Sequence, residues 1–295
     1  MPFIDKVRIG ISGWNYPGWR GQFYPANLPH RRELAYAAGI FPTIEINGTF
    51  YSLKRPENFA QWFADTPEDF VFSVKGSRYL THMLRLRNVA KPLSNFFASG
   101  VLRLGSKLGP ILWQLPSNFS FDPKRLEAFF KLLPRDTEAA VSLARRHDKR
   151  VSGHTWLKAD KARRIRHCME IRHQSFAVPE FIHLLREHGI ALVCADAVEW
   201  PRLMDVTADF IYCRLHGSKE LYASGYDEPA LDAWAKRVAA WARGKESPDG
   251  DRVMPALASK QASRDVFVYF DNDAKVRAPF DAQGLIRRAR RLLKS

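Results

Sequence analysis

Seven short, apolar, β-prone runs in this chain end in residues able to do chemistry, and that recurrence limits the fold more than any other feature. The endings are Ile44-Glu45-Ile46-Asn47, Phe72-Ser73-Val74-Lys75, Leu112-Trp113-Gln114, Glu170-Ile171-Arg172-His173, Cys194-Ala195-Asp196, Tyr212-Cys213-Arg214-Leu215-His216 and Tyr269-Phe270-Asp271-Asn272-Asp273. With the first run they predict eight strands, at residues 7–12, 43–47, 70–75, 110–115, 166–172, 191–195, 210–215 and 266–270. Helical patterns lie between them at 31–38, 56–64, 89–99, 126–133, 137–147, 176–188 and 231–243, with a last one at 285–293. Asp122-Pro123 reads as an N-cap followed by proline at the first helical position, and Gly189 as a helix stop.

Eight strands alternating with helices predict an α/β fold with a parallel sheet, and eight is the number that closes a barrel. The expectation is a single TIM-like (β/α)8 barrel over residues 1–295, with long connections at 134–164 and 217–265. An open doubly wound sheet is the competing architecture, but no GxGxxG follows the first strand. Neither a P-loop nor a GxSxG elbow is present.

Composition narrows the class. A 46% hydrophobic content supports a large core, no apolar run is long enough to span a bilayer, and the opening residues lack a signal-peptide layout. A cytoplasmic protein is expected. Cys168, Cys194 and Cys213, an odd number without CxxC spacing, read as reduced core thiols. The net charge of +15 is concentrated in 145–166, which carries nine Lys/Arg against two Asp, and in 287–294, which carries five Lys/Arg and no acid. Such patches suit a solvated surface or a polyanion.

Carboxyl ends of barrel strands surround the mouth where TIM-barrel sites form. Period-two alternation aligns Glu45 with Asn47, Lys75 with Ser73, Glu170 with Arg172, Asp196 with Cys194, and Tyr212 with Arg214 and His216. Carboxylates mixed with cations are tolerable there only if paired or facing a wet cavity. Arg172 and Arg214 suit an anion because guanidinium donates two parallel hydrogen bonds. Glu170 or Glu45 would handle protons with His216, and Lys75 would share the anion or act as electrophile. Gln114, Asp196, Asn272 and Asp273 complete the expected substrate-binding set, with Trp14 and Tyr16 of the loop after the first strand as aromatic walls. Glu45, Glu170, Asp196, His216 and Asp273 offer metal ligands, but Lys75, Arg172 and Arg214 would repel a dication, so no metal is expected. No cofactor is identified.

The motifs in order resemble the YecE-like family, catalogued as a domain of unknown function. The resemblance rests on Gly10-Ile11-Ser12-Gly13-Trp14-Asn15-Tyr16 with Trp19, Glu45-Ile46-Asn47-Gly48-Thr49-Phe50-Tyr51, and Phe72-Ser73-Val74-Lys75 with Thr81-His82. It continues through Gly109-Pro110-Ile111-Leu112-Trp113-Gln114-Leu115-Pro116, Glu170-Ile171-Arg172-His173, Arg214-Leu215-His216-Gly217 and Tyr269-Phe270-Asp271-Asn272-Asp273, covering about residues 7–285. It implies a TIM-like barrel with these groups at its rim, and no established reaction. Asp271 departs from the Asn that the family often carries, adding a negative charge. The expected function is an enzyme, of hydrolase or lyase type, acting on a small anionic or phosphorylated substrate. The alternative is a nucleic-acid-binding or nucleic-acid-processing protein using the basic patches, and a third reading is a non-catalytic scaffold.

Overall fold

A computed structural model describes residues 3–217, 220–256 and 262–294. Strand β1 (Val7–Ser12) leads to helix α1 (Glu33–Ala38) and β2 (Thr43–Ile46), then to α2 (Gly48–Tyr51), α3 (Pro56–Ala64) and β3 (Val71–Lys75). Helix α4 (Ala90–Ala98) and β4 (Leu108–Gln114) follow, then α5 (Pro123–Leu132), α6 (Thr137–Ala144) and β5 (His167–Glu170). The chain continues through α7 (Pro179–Glu187), β6 (Ala191–Asp196), β7 (Phe210–Leu215), α8 (Glu228–Ala242), β8 (Asp265–Phe270) and α9 (Ala278–Lys294). Consecutive strands pair in order and β8 closes on β1, every pair parallel. This is a TIM-like (β/α)8 barrel.

Local sequence explains where the elements start. Asp122, Asp136 and Asp227 each accept a hydrogen bond from a backbone N–H in the first turn of α5, α6 and α8, those of Arg125, Ala139 and Ala230. Proline occupies the opening turn of α3, α5, α7 and α8. Gly189, at φ +56°, stops α7 as expected. At Gly10 the requirement is space: a Cβ there would lie 1.9 Å from the Thr43 carbonyl oxygen, so only glycine lets β1 and β2 close.

Strand β5 is shorter than expected. The fifth strand ends at Glu170 rather than continuing through 172, because His173 caps a 3-10 turn, accepting from the Ser175 N–H. No helix links β6 to β7. Instead the Thr207 hydroxyl donates to the Ile190 carbonyl and accepts from the Leu192 N–H, both at 2.7 Å, stitching 197–209 to the strand start. The connection after β4 carries α5 and α6; that after β7 carries α8, and its residues 218–219 and 257–261 lie outside the described part.

The barrel interior is a small cluster of Leu112, Cys168, Ala191, Val193, Phe210, Tyr212, Phe267 and Tyr269, distinct from the larger core between strands and helices. Above it, two hydroxyl pairs mark the change from apolar to polar: Thr43 with Tyr269 and Ser73 with Tyr212, each at 2.7 Å. Cys168 faces this interior while Cys194 and Cys213 face the helices; all three are buried free thiols. Among the described residues, no helix is long and apolar enough to cross a membrane.

The basic run 145–166 ends beside the amino-terminal end of β5, opposite the mouth. There Arg163, Arg164 and Arg166 pair with Asp160, Asp209 and Asp265, the last at 2.6 Å. On α9, Arg288 pairs with Glu228 and with Asp232. Part of the positive excess is therefore neutralised within the fold.

Candidate functional site

The strand ends build one charged cluster around Arg214, which is 0% exposed. Arg214 faces the barrel axis one pleat above Tyr212, and every one of its nitrogens finds an acceptor. Nε donates to Glu45 Oε2 at 3.1 Å and Nη1 to Glu170 Oε2 at 2.8 Å. Nη2 donates to Ser12 Oγ (3.1 Å), Glu45 Oε1 (2.9 Å) and Asp271 Oδ2 (2.8 Å). Glu45 also accepts from the hydroxyls of Ser12 and Tyr212, each at 2.5 Å. Glu170 accepts further from Gln114 Nε2 at 2.9 Å and from Arg172 Nε at 2.8 Å. The carboxylates converge on a guanidinium, so their charge is compensated where burial would otherwise forbid it.

This arrangement sets the protonation states. Burial alone would raise Glu170, but Arg214 and then Arg172 outweigh it and hold its carboxyl well below the usual range. Asp271 is likewise held down by Arg214 and His216 against its burial. Both stay ionised near neutrality and make poor general bases. Asp273 behaves differently: burial, then repulsion from Asp271, pushes it up to about 6. Burial lowers His216 and leaves its imidazole neutral at pH 7. Its Nδ1 stands 3.0 Å from Asp271 Oδ2, so the proton is assigned to that nitrogen. Nε2 then carries the lone pair, 3.9 Å from Glu170 Oε2; both ring nitrogens are buried, and neither meets full hydrogen-bond geometry among the described residues.

Two cations remain open at the mouth. Arg172 spends one bond on Glu170 and stacks its guanidinium 3.7 Å from the Trp200 ring centre. Lys75, 8% exposed, makes no hydrogen bond or ion pair among the described residues; its ammonium sits 4.4 Å over the Phe50 ring. Burial, then the neighbouring Arg214 charge, lowers Lys75 to about 8. Both cations bear on His82, which burial and then Arg172 and Lys75 push down to about 4. Two cations thus bear on the region between the ends of β3 and β5, alongside the Glu170 carboxylate.

A family model described as "Protein of unknown function DUF72" matches residues 8–294. The chain belongs to the DUF72 family. Among curated relatives it is 28% identical over 127 residues to the UPF0759 protein YecE of Escherichia coli (strain K12), covering 43% of this chain and 43% of that protein. It is 27% identical over 118 residues to the UPF0759 protein YunF of Bacillus subtilis (strain 168), covering 38% and 41%. The aligned stretch spans less than half the length of these curated relatives. A crystal structure of a DUF72 family protein from Thermotoga maritima superposes with a TM-score of 0.70 at 23% identity, covering 98% of this chain and 99% of that one. One from Enterococcus faecalis gives 0.66 at 15% identity, covering 96% and 95%. These likenesses carry the fold, and the expected membership of the YecE-like family is borne out.

Of the residues expected from sequence, this DUF72 barrel gathers Glu45, Lys75, Gln114, Glu170, Arg172, Arg214 and His216. Three corrections follow. Asp196 points with Cys194 into the helix layer, accepting from Tyr226 (2.9 Å) and Trp234 (3.3 Å) and pairing with Arg202. Asn272 turns away from the mouth, donating to the Ser224 carbonyl and to Asp281. Arg214, expected to hold an anion, has its donors filled by carboxylates. Trp14 and Tyr16 line a separate cavity of about 550 Å³ with Asn47, Tyr51, Lys54 and Trp62, beside the cluster. Tyr16 and Asn47 wall it off by donating to the Ser12 carbonyl and hydroxyl at 2.6 and 2.9 Å. Trp19 is core, 1% exposed.

Ser12, Tyr212 and Asp271 belong to the cluster although sequence reasoning assigned them no site role. Continuing the alternation from Tyr269 through Asp271 to Asp273 would have found the last. Trp200 and His82 sit outside the strands, where no periodicity points to them.

Proposed function

We propose that this protein is an enzyme whose substrate is a small anion, held at the barrel mouth by Arg172 and Lys75. One observation carries the reading: Lys75 is a nearly buried ammonium that makes no hydrogen bond or ion pair among the described residues, although Glu45, Glu170 and Asp271 attract it from a distance. A buried ammonium without a hydrogen-bonded partner is costly, and an incoming carboxylate or phosphate would supply one. Arg172 adds directional hydrogen bonds from a guanidinium already oriented by Glu170 and Trp200.

Proton handling falls to His216 and Asp273 rather than to Glu170 or Glu45. The buried His216 imidazole is neutral, with Asp271 3.0 Å from Nδ1 and Glu170 3.9 Å from Nε2. Asp273, at about 6, exchanges its proton near neutrality. Glu45 and Glu170 serve as fixed counter-charges that hold Arg214 and orient Arg172.

A thermal-shift titration tests this. Inorganic phosphate, sulfate and small carboxylates should raise the melting temperature of the wild-type protein, following ligand linkage. Arg172→Ala should retain the fold and lose the greater part of that rise. A panel that leaves the wild type unshifted, or an undiminished shift in the variant, would sink the proposal.

A further inference from the structure

We infer that Lys75 forms an imine with a small carbonyl compound that also carries an anionic group, a 2-oxo acid being the simplest class. The inference rests on the anion site just proposed and goes further by naming the reacting group of the substrate.

The geometry is that of an amine kept free. Lys75 ends β3, pointing to the face where TIM-barrel chemistry gathers. Lysines that serve as nucleophiles are desolvated or stand beside another cation. Lys75 has both conditions: it is 8% exposed above the Phe50 ring, and the Arg214 guanidinium is among its neighbours. An ion pair would spoil this by holding the nitrogen protonated, and Glu45, Glu170 and Asp271 give their acceptors to Arg214 and other donors instead. Arg172, which bears on His82 together with Lys75, offers a guanidinium for the carboxylate of the same molecule.

The step balances as follows. The neutral Lys75 nitrogen attacks the carbonyl carbon, a C–N bond forms, and the C=O π pair moves to oxygen, which takes the proton lost by nitrogen. Protonation of that hydroxyl by solvent lets it leave as water while the nitrogen lone pair closes the C=N bond. Amine, carbonyl and one proton become a protonated imine and water. The imine keeps one positive charge beside Glu170 and Asp271, so the surroundings already complement the product.

Reductive trapping decides the matter. The full-length protein is incubated at about pH 7.5 with glyoxylate or pyruvate and cyanoborohydride, then mapped by peptide mass spectrometry. With Lys75 lowered to about 8, its free-amine fraction exceeds that of an ordinary lysine on the order of a hundredfold. The expected result is at least about tenfold enrichment of adduct at Lys75 over the other lysines, given that pKa difference. Lys75→Arg, which keeps a charge but offers no such amine, should lose that adduct. Adduct spread evenly over surface lysines, or absent, overturns the imine. Oxalate, an anion without a ketone or aldehyde, separates the two levels. If oxalate still raises the melting temperature while no adduct forms, the imine alone fails; if it also leaves the protein unshifted, the anion site fails with it.

Discussion

Replacing Arg214 with methionine is expected to destabilise the fold by about 3–5 kcal/mol, the cost typical of removing one partner from a buried ionic network. The side chain is fully buried and meets Glu45, Glu170 and Asp271, so its loss leaves three carboxylates facing one another without the charge that holds them ionised. Protonation would relieve the repulsion, at odds with Glu170 and Asp271, whose carboxyls now sit well below the usual range. Arg214→Lys should recover part of the stability, because one ammonium restores charge but cannot span acceptors placed around a planar fork. Urea denaturation of the three proteins checks this. A methionine variant within about 1 kcal/mol of wild type, the range of an exposed pair, would mean that the network contributes little.

Acid should weaken the protein in two stages. His167 is buried and accommodated neutral, between Trp113 Nε1 at 3.1 Å and the Pro134 carbonyl at 2.8 Å, and burial lowers it to about 3. An unfolded histidine takes up a proton below about pH 6.5, so stability starts to fall there and continues to fall until the folded imidazole also titrates. His216, lowered in the same direction, adds to this stage, and Asp273, raised to about 6, offsets part of it. The carboxylates act later. Glu170 and Asp271 are depressed in the folded state, so their contribution is complete above about pH 5 and is lost as pH drops below about 4. The urea midpoint should therefore decline gently below about pH 6.5 and steeply below about 4.5. His167→Phe should remove much of the gentle stage and leave the steep one. A midpoint that stays flat from about pH 7 to 4.5 would contradict the buried, neutral histidines.

The barrel was legible because its strands are short, β-branched or aromatic, and separated by caps that sequence displays, such as Asp122-Pro123 and Gly189. The facing of β7 was legible too: Tyr212, Arg214 and His216 alternate with apolar neighbours, and the polar set turned inward. On β6 the same argument kept Asp196 with Cys194 but on the helix side. Residues 191–195 are apolar throughout and buried on both faces, so nothing in that run orients it. What no local pattern could supply was the occupancy of Arg214. Its partners Glu45 and Asp271 lie 169 and 57 residues away, and only closure of the barrel shows that they fill the donors an anion would need. The open cations were visible as residue types, yet their openness depends on Trp200 and Phe50, which reach the mouth from loop and helix positions set by tertiary packing.

Lys75 has no hydrogen-bonded partner among the described residues of the mouth, and its titration is the most direct measure of that state. With carbon-13 at the lysine Cε positions, the Lys75 resonance, assigned by its disappearance in Lys75→Arg, can be followed against pH. The midpoint should fall at about 8, and saturating inorganic phosphate should move it upward as an anion stabilises the ammonium. A midpoint near 10.5 that phosphate leaves in place would contradict the account.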